Sequence, residues 1–238
     1  MKRKNWKQTL RRVLEDPTHK RYFLVHDFLA LLTIVSIVAV VLETVPSLGK
    51  YHTVFLISEW IAVIFFGAEY IARIIITKPI HKYTFSFFGI IDLVSILPTI
   101  LGIGNLTFLK SARALRIMRL LRLMRLAKLG REGVNDDKGL GIISLNILIY
   151  AATLLIALLV TGTAMYLVEF GHEKFSSIPS AMWWSLKVFL GSIAVAQPDT
   201  TLGEVFYVVA RFVGMLLLGL LVGVVGNIFR SVMFSGKK

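Results

Sequence analysis

Cysteine is absent from the 238-residue chain, which excludes disulfides and thiolate metal sites and leaves the redox compartment unmarked. Negative charge is scarce: 14 Asp and Glu stand against 27 Lys and Arg, and charged residues of all kinds make up only 17% of the sequence. His19, His26, His52, His81 and His172 are scattered without metal-ligand spacing, and no nucleophile-and-base pair or phosphate-cradling glycine loop accompanies them. No enzyme centre, cofactor or metal site is therefore expected.

Apolar sequence is what abounds, at 56% of residues, far above the share in a soluble domain. Runs near 22–43, 54–76, 141–168 and 203–229 are long enough to cross a hydrocarbon core of about 30 Å, and a shorter run near 86–101 is interrupted by one acid, Asp92. The first run ends in Glu43-Thr44-Val45-Pro46 without a small-x-small cleavage site, so it reads as a retained span rather than a signal peptide. The net charge of +13 would suit nucleic acid if it formed a solvated patch. Instead the basic residues flank spans: Lys2, Arg3, Lys4, Lys7, Arg11, Arg12, Lys20 and Arg21 before the first, Arg73, Lys78 and Lys82 around the second turn, Arg230, Lys237 and Lys238 at the end. No nucleic-acid partner is expected. The positive-inside rule makes those segments cytoplasmic. The opposite loops, 44–53 and 170–179, hold only Lys50 and Lys174, so the number of crossings is even and both ends lie on the cytoplasmic side of a multi-pass membrane protein.

An even count requires 107–129 to cross as well, although it reads TFLKSARALRIMRLLRLMRLAKL with Arg113, Arg116, Arg119, Arg122, Arg125 and Lys128 at every third position. The competing reading is an amphipathic helix lying on an anionic lipid surface. A three-residue step in an α-helix falls back about 60°, so the charges spiral around the helix instead of forming one polar face. In a 3₁₀ segment they would line up in one column. An unpaired arginine at mid-bilayer costs about 2.5–3.5 kcal/mol on insertion scales, so the row needs counter-charges. Glu59, Phe66 and Glu69 fall towards one side of the second span, and Asp92 interrupts the third at a depth similar to that of Glu69. Glu59 stands about 15 Å further out by helical rise. Two anionic levels separated by an aromatic plug describe a relay in which each arginine exchanges one partner for the next. Static pairing that merely holds the bundle is the alternative, and six periodic cations against three acids favour movement.

With these residues in place the sequence resembles the voltage-gated ion channel superfamily, and most of all its six-span potassium-channel branch, over almost its whole length. The resemblance assigns the charge-transfer centre to Phe66-Gly67-Ala68-Glu69 with Asp92, the outer acid to Glu59, and the gating charges to Arg113, Arg116, Arg119, Arg122, Arg125 and Lys128. It implies an all-α membrane protein: a cytoplasmic basic segment (1–21), a four-span voltage sensor (22–129), a linker (130–140), and a pore module (141–238) with an outer helix, a re-entrant pore helix carrying Trp183 and Trp184, and an inner helix with hinge glycines Gly214 and Gly223. One such module supplies a quarter of a pore, so the partners implied are three further copies in a homotetramer, membrane lipid and a permeant monovalent cation.

The filter position departs from that branch. Thr-Val-Gly-Tyr-Gly of potassium channels would fall on Gly191, Ser192, Ile193, Ala194 and Val195. Stacked carbonyls pointing at one axis need positive φ at alternating residues, easy for glycine and hard for β-branched side chains, yet Ile193 and Val195 occupy both glycine positions. From Gly191 through Ala196 to Gln197 there is no acid for a sodium- or calcium-type ring. The expectation is a voltage-gated channel with a weakly selective cation passage; a voltage-sensing protein whose pore module does not conduct stands as the alternative.

Overall fold

The computed structural model describes residues 6–16, 19–77, 79–103, 117–125 and 142–234. Arg113, Arg116, Lys128 and the linker 130–140 lie outside the described residues. The chain is an all-α membrane protein, and no strand occurs among the described residues. Its helices are α1 (Trp6–Glu15), α2 (Lys20–Glu43), α3 (His52–Ile76), α4 (Ile80–Thr84), α5 (Phe87–Ile103), a helical stretch over 117–125, α6 (Ile142–Val168), α7 (Ile178–Phe189) and α8 (Thr201–Phe234). Four segments, Arg21–Glu43, Pro46–Ile76, Asn146–Val168 and Thr201–Ser231, are long and apolar enough to span a membrane, and Phe87–Ile100 is a shorter apolar helix. Helices are the natural solution because hydrocarbon offers no partner for a free backbone N–H or C=O. Hydroxyls obey the same constraint: Thr33 Oγ1 donates to the Leu29 carbonyl (2.7 Å) and Ser36 Oγ to that of Thr33 (2.8 Å).

Two compact units result. The described residues up to 125, apart from 44–47, form the first; 44–47 and 142–234 form the second. In the first unit α2, α3, α5 and the 117–125 stretch gather around a small core of Leu29, Ala62, Phe66 and Ile96. Leu24, Leu31, Ile64 and Ile71 on the same helices are exposed, as expected of side chains that meet lipid. The helix α1 sits where only a basic segment had been expected; Leu10, Val13 and Leu14 give it a one-sided apolar stripe, and Leu14 is buried.

In the second unit α7 is fixed at its start. Ser177 caps its start reciprocally with Ser180 (Ser180 N to Ser177 Oγ 3.3 Å, Ser177 N to Ser180 Oγ 3.1 Å), and Thr44 Oγ1 accepts from Ile178 N at 2.9 Å. Glycine lets the other helices approach: a Cβ on Gly162 would stand 2.8 Å from the Met182 backbone nitrogen, and one on Gly214 2.6 Å from Phe189 Cα. The helix α8 runs unbroken through Gly214, whereas Gly219 and Gly223 face open space within the chain.

Candidate functional site

The arginine row changes helix type where it enters the core. Residues Arg119–Arg122 form a 3₁₀ turn, in which positions i and i+3 eclipse. Arg119 and Arg122 therefore point to the same side, and both reach Glu59. Arg122, 0% exposed, donates from Nη1 to Glu59 Oε2 at 3.1 Å and closes a second bond from Nη2 to Oε1. Two further hydrogens are placed, Nε on the Ser95 carbonyl (2.9 Å) and Nη2 on Thr99 Oγ1 (3.1 Å), while Thr99 itself donates to Glu59 Oε1. Pro98 in the same turn of α5 has no N–H for the carbonyl four residues back, and its ring crowds that turn. Arg119 lies between two acids, with Nε 3.6 Å from Glu59 Oε1 and Nη1 3.5 Å from Glu43 Oε2.

A second anionic level holds Arg125. Its Nη2 pairs with Glu69 Oε2 and lies 3.4 Å from Asp92 Oδ1, and its Nη1 is 3.4 Å from Ser95 Oγ. Arg73 Nε donates to the other Glu69 oxygen at 2.9 Å, one helical turn away, and Tyr83 Oη donates to Asp92 Oδ2. Burial pushes the Tyr83 phenol far above its ordinary range, and the Asp92 carboxylate pushes it the same way, so the phenol remains a donor. Between the levels sits Phe66, 0% exposed, with its ring centre 3.9 Å from the Arg125 guanidinium carbon and 5.9 Å from that of Arg122. The ring face is a weak cation site that competes with no carboxylate.

Sequence periodicity set Glu59, Phe66, Glu69 and Asp92 against the whole row from Arg113 to Lys128, and the fold brings these four together with Arg119, Arg122 and Arg125. It adds Glu43 and Arg73, so that the described cluster balances pair for pair: Glu43, Glu59, Glu69 and Asp92 against Arg73, Arg119, Arg122 and Arg125. Thr99 and Ser95 were not foreseen either; nothing in a hydroxyl's sequence position separates a partner of arginine from one that caps its own helix. No group of three or more His, Asp or Glu side chains able to hold a metal ion occurs among the described residues.

The loop 191–200 turns on Gly191, whose φ is +78°, a conformation glycine adopts without strain. Three of its carbonyls are engaged within the chain. Ser192 O accepts from Arg211 Nη2 (3.2 Å), Ile193 O from Val195 N (3.0 Å) and Ala196 O from Trp184 Nε1 (2.8 Å). Val195 is buried, Ala194 and Gln197 are exposed, and Ile193 is 85% exposed. Trp184, buried, stacks edge-on with Phe175 and meets Tyr207, whereas its neighbour Trp183 is exposed. The far end of the loop is tied by Glu169, 1% exposed, which accepts from Asp199 N (2.9 Å), Thr200 N (3.0 Å) and Thr200 Oγ1 (2.5 Å). Burial opposes its ionisation, but the bonds from Thr200 and Asp199, helped by His172, outweigh it and hold the carboxyl below its usual range. Arg211 escaped the sequence reading although a signal existed: it is the one charged residue between 205 and 229, and ionisable residues within spans are rarely idle.

Comparison with known proteins fits this geometry. A Rhodopseudomonas palustris protein named "putative potassium channel protein" is 30% identical over 236 residues, covering 90% of this chain and 55% of its own length. The A-type voltage-gated potassium channel of Rattus norvegicus is 26% identical over 259 residues (98% of this chain, 38% of its own), and the Shal potassium channel of Drosophila melanogaster 26% over 262 (98% and 44%). The chain thus spans about half the length of these curated relatives, or less. The family model for ion transport proteins matches residues 22–233, and the chain belongs to that family.

Proposed function

We propose that the chain is the pore-forming subunit of a homotetrameric voltage-gated ion channel with a weakly selective cation passage, inserted in the cell membrane with both described ends cytoplasmic. Residues 22–129 act as the voltage sensor, 130–140 as the linker and 141–238 as the pore module. The observation that carries this reading is the pair of guanidinium groups on either side of Phe66, each already bound to a carboxylate: Arg122 at Glu59 and Arg125 at Glu69 and Asp92. Because the partners on the two sides are chemically alike, sliding the row by one step of three residues, about 4.5–6 Å along its axis, exchanges ion pairs without stripping any. Two or three charges moved through 100 mV supply about 5–7 kcal/mol per subunit. With Glu59 on the outer side, the arrangement described is the outward one, with Arg119 and Arg122 external to the aromatic plug. Gly214 and Gly223 act as flexible points of the inner helix.

Weak selectivity follows from the loop. With the Ser192, Ile193 and Ala196 carbonyls bonded inside the subunit, no continuous ladder of free carbonyls is left to replace a potassium ion's water shell. The same bonds favour a second reading, a voltage-sensing protein whose pore module does not conduct. Flux from liposomes carrying the full chain separates the two. Comparable potassium and sodium flux exceeding chloride flux, under imposed potential, is the expected result; strong preference for potassium refutes weak selectivity, and no flux of any ion refutes the channel. Neutralising Arg119 and Arg122 together should flatten the voltage dependence of charge movement, and an unchanged slope would make the row structural.

A further inference from the structure

Arg211, half-buried, is unlike the arginines of the first unit's cluster. Those in the first unit are matched to carboxylates, whereas no carboxylate pairs with Arg211 among the described residues. Its guanidinium instead donates to the phenolic oxygen of Tyr207, lies 4.9 Å from the centre of that ring, and spends a further hydrogen on the Ser192 carbonyl at 3.2 Å. Tyr207 packs on Trp184, which binds the Ala196 carbonyl. A continuous aromatic and cationic strut thus runs from Ala196 back to Ser192, with a full positive charge beside Ser192.

We propose that Arg211 is a selectivity-determining residue: it turns the Ser192 carbonyl away from a passing ion and sets beside the loop a positive charge that no carboxylate among the described residues pairs with, weakening the preference for cations over anions. The proposal rests on the reading of 191–197 as the ion path. Two physical effects act in the same direction. A carbonyl oxygen already accepting from a guanidinium has its lone-pair density drawn to that cation and offers less to a second one. A fixed charge in a confined, partly dehydrated passage also acts over a longer range than it would in water. A glutamine, neutral and shorter, removes both the charge and the charge-assisted bond, whereas a lysine retains the charge.

The test uses the full chain in liposomes under a salt gradient, with the reversal potential read for wild type, Arg211→Gln and Arg211→Lys. Arg211→Gln is expected to raise the cation-to-chloride permeability ratio roughly tenfold, the scale set by removing a unit charge in each of four subunits from beside the path. Arg211→Lys retains the charge and should restore the wild-type ratio. A reversal potential for Arg211→Gln equal to that of wild type overturns the proposal. Amide exchange of 191–197 gives a readout independent of conduction: loss of a charge-assisted bond should speed exchange in Arg211→Gln by roughly tenfold, and unchanged exchange overturns the tether. Absence of flux from the wild type refutes the channel reading and with it the selectivity role, an outcome distinct from a conducting wild type whose ion preference ignores Arg211.

Discussion

Replacing Glu59 by glutamine removes one charge and no volume from the centre of the cluster. The loss falls on Arg122, which is fully buried and keeps only the Ser95 carbonyl, Thr99 Oγ1 and one amide oxygen, and on Arg119, which is left with Glu43. Removing one partner of a buried ion pair costs about 3–5 kcal/mol. If the proposed sensor moves two charges across the field, each 100 mV supplies about 4.6 kcal/mol, so that cost becomes a displacement of roughly 65–110 mV in the voltage at which half the sensors have moved. The sign follows from the proposed outward arrangement: there Glu59 holds Arg119 and Arg122, so stronger depolarisation is needed without it, and the midpoint moves to more positive voltage. The slope should stay as it is, because the number of arginines is unchanged. Charge movement or voltage-dependent flux in a bilayer reads both quantities, with Glu59→Asp as a control that keeps the charge. A Glu59→Gln midpoint that does not move, or moves to negative voltage, would refute the outward assignment of the Glu59 level.

Phe66→Ala opens the partition between the two anionic levels and should admit water, seen as a voltage-dependent proton leak in liposomes carrying an internal pH dye; a sealed Phe66→Ala sensor would show that Phe66 is packing alone. Gly214→Ala drives a Cβ to 2.6 Å from Phe189 Cα and 2.9 Å from its carbonyl oxygen, contacts with backbone that cannot swing aside, and should destabilise the second unit by about 1–3 kcal/mol. Gly223→Ala, with nothing within 4 Å in the chain, should leave the melting of the subunit unchanged or slightly raise it. Glu169 has a carboxyl held below its ordinary range, so its contribution is complete above the unfolded carboxylate value of about 4.3 and is lost as pH falls through the lower folded value. Melting in detergent should therefore weaken on acidification below about pH 4 in the wild type, and Glu169→Gln should already melt lower at neutral pH and lose that component of the pH dependence.

How far the sequence could be read depended on the periodicity available. Spans carry a signal of length and composition, so the ends of α2, α3, α6 and α8 fall close to the expected runs. The short helix α5 was legible too, in spite of Pro98 and Asp92. The acids opposite the arginines were legible because, in a hydrocarbon environment, a carboxylate among apolar residues must face a partner. Glu43 was passed over as the end of a span, Arg73 as a flanking charge and Tyr83 as part of a connecting segment. Glu43 and Tyr83 owe their roles to how the chain folds: Glu43 meets Arg119 across 76 positions, and Tyr83 meets Asp92 only because α4 folds back beside α5.

By itself the sequence determined that this is an all-α membrane protein with an arginine at every third position, buried acids to receive the row, and a loop after Trp184 without the glycines of a potassium filter. These follow from composition and spacing, because hydrocarbon penalises every unpaired polar group and leaves few arrangements open. Only the tertiary structure decided which arginine meets which acid, that the row tightens to 3₁₀ at Arg119–Arg122 so that two guanidinium groups share Glu59, and that Gly214 is pressed against Phe189. It alone decided that the loop's carbonyls turn inward to Arg211, Trp184 and the Val195 amide. Those outcomes rest on register and on the direction of single bonds, set by close packing between residues far apart in the chain, which no local pattern records.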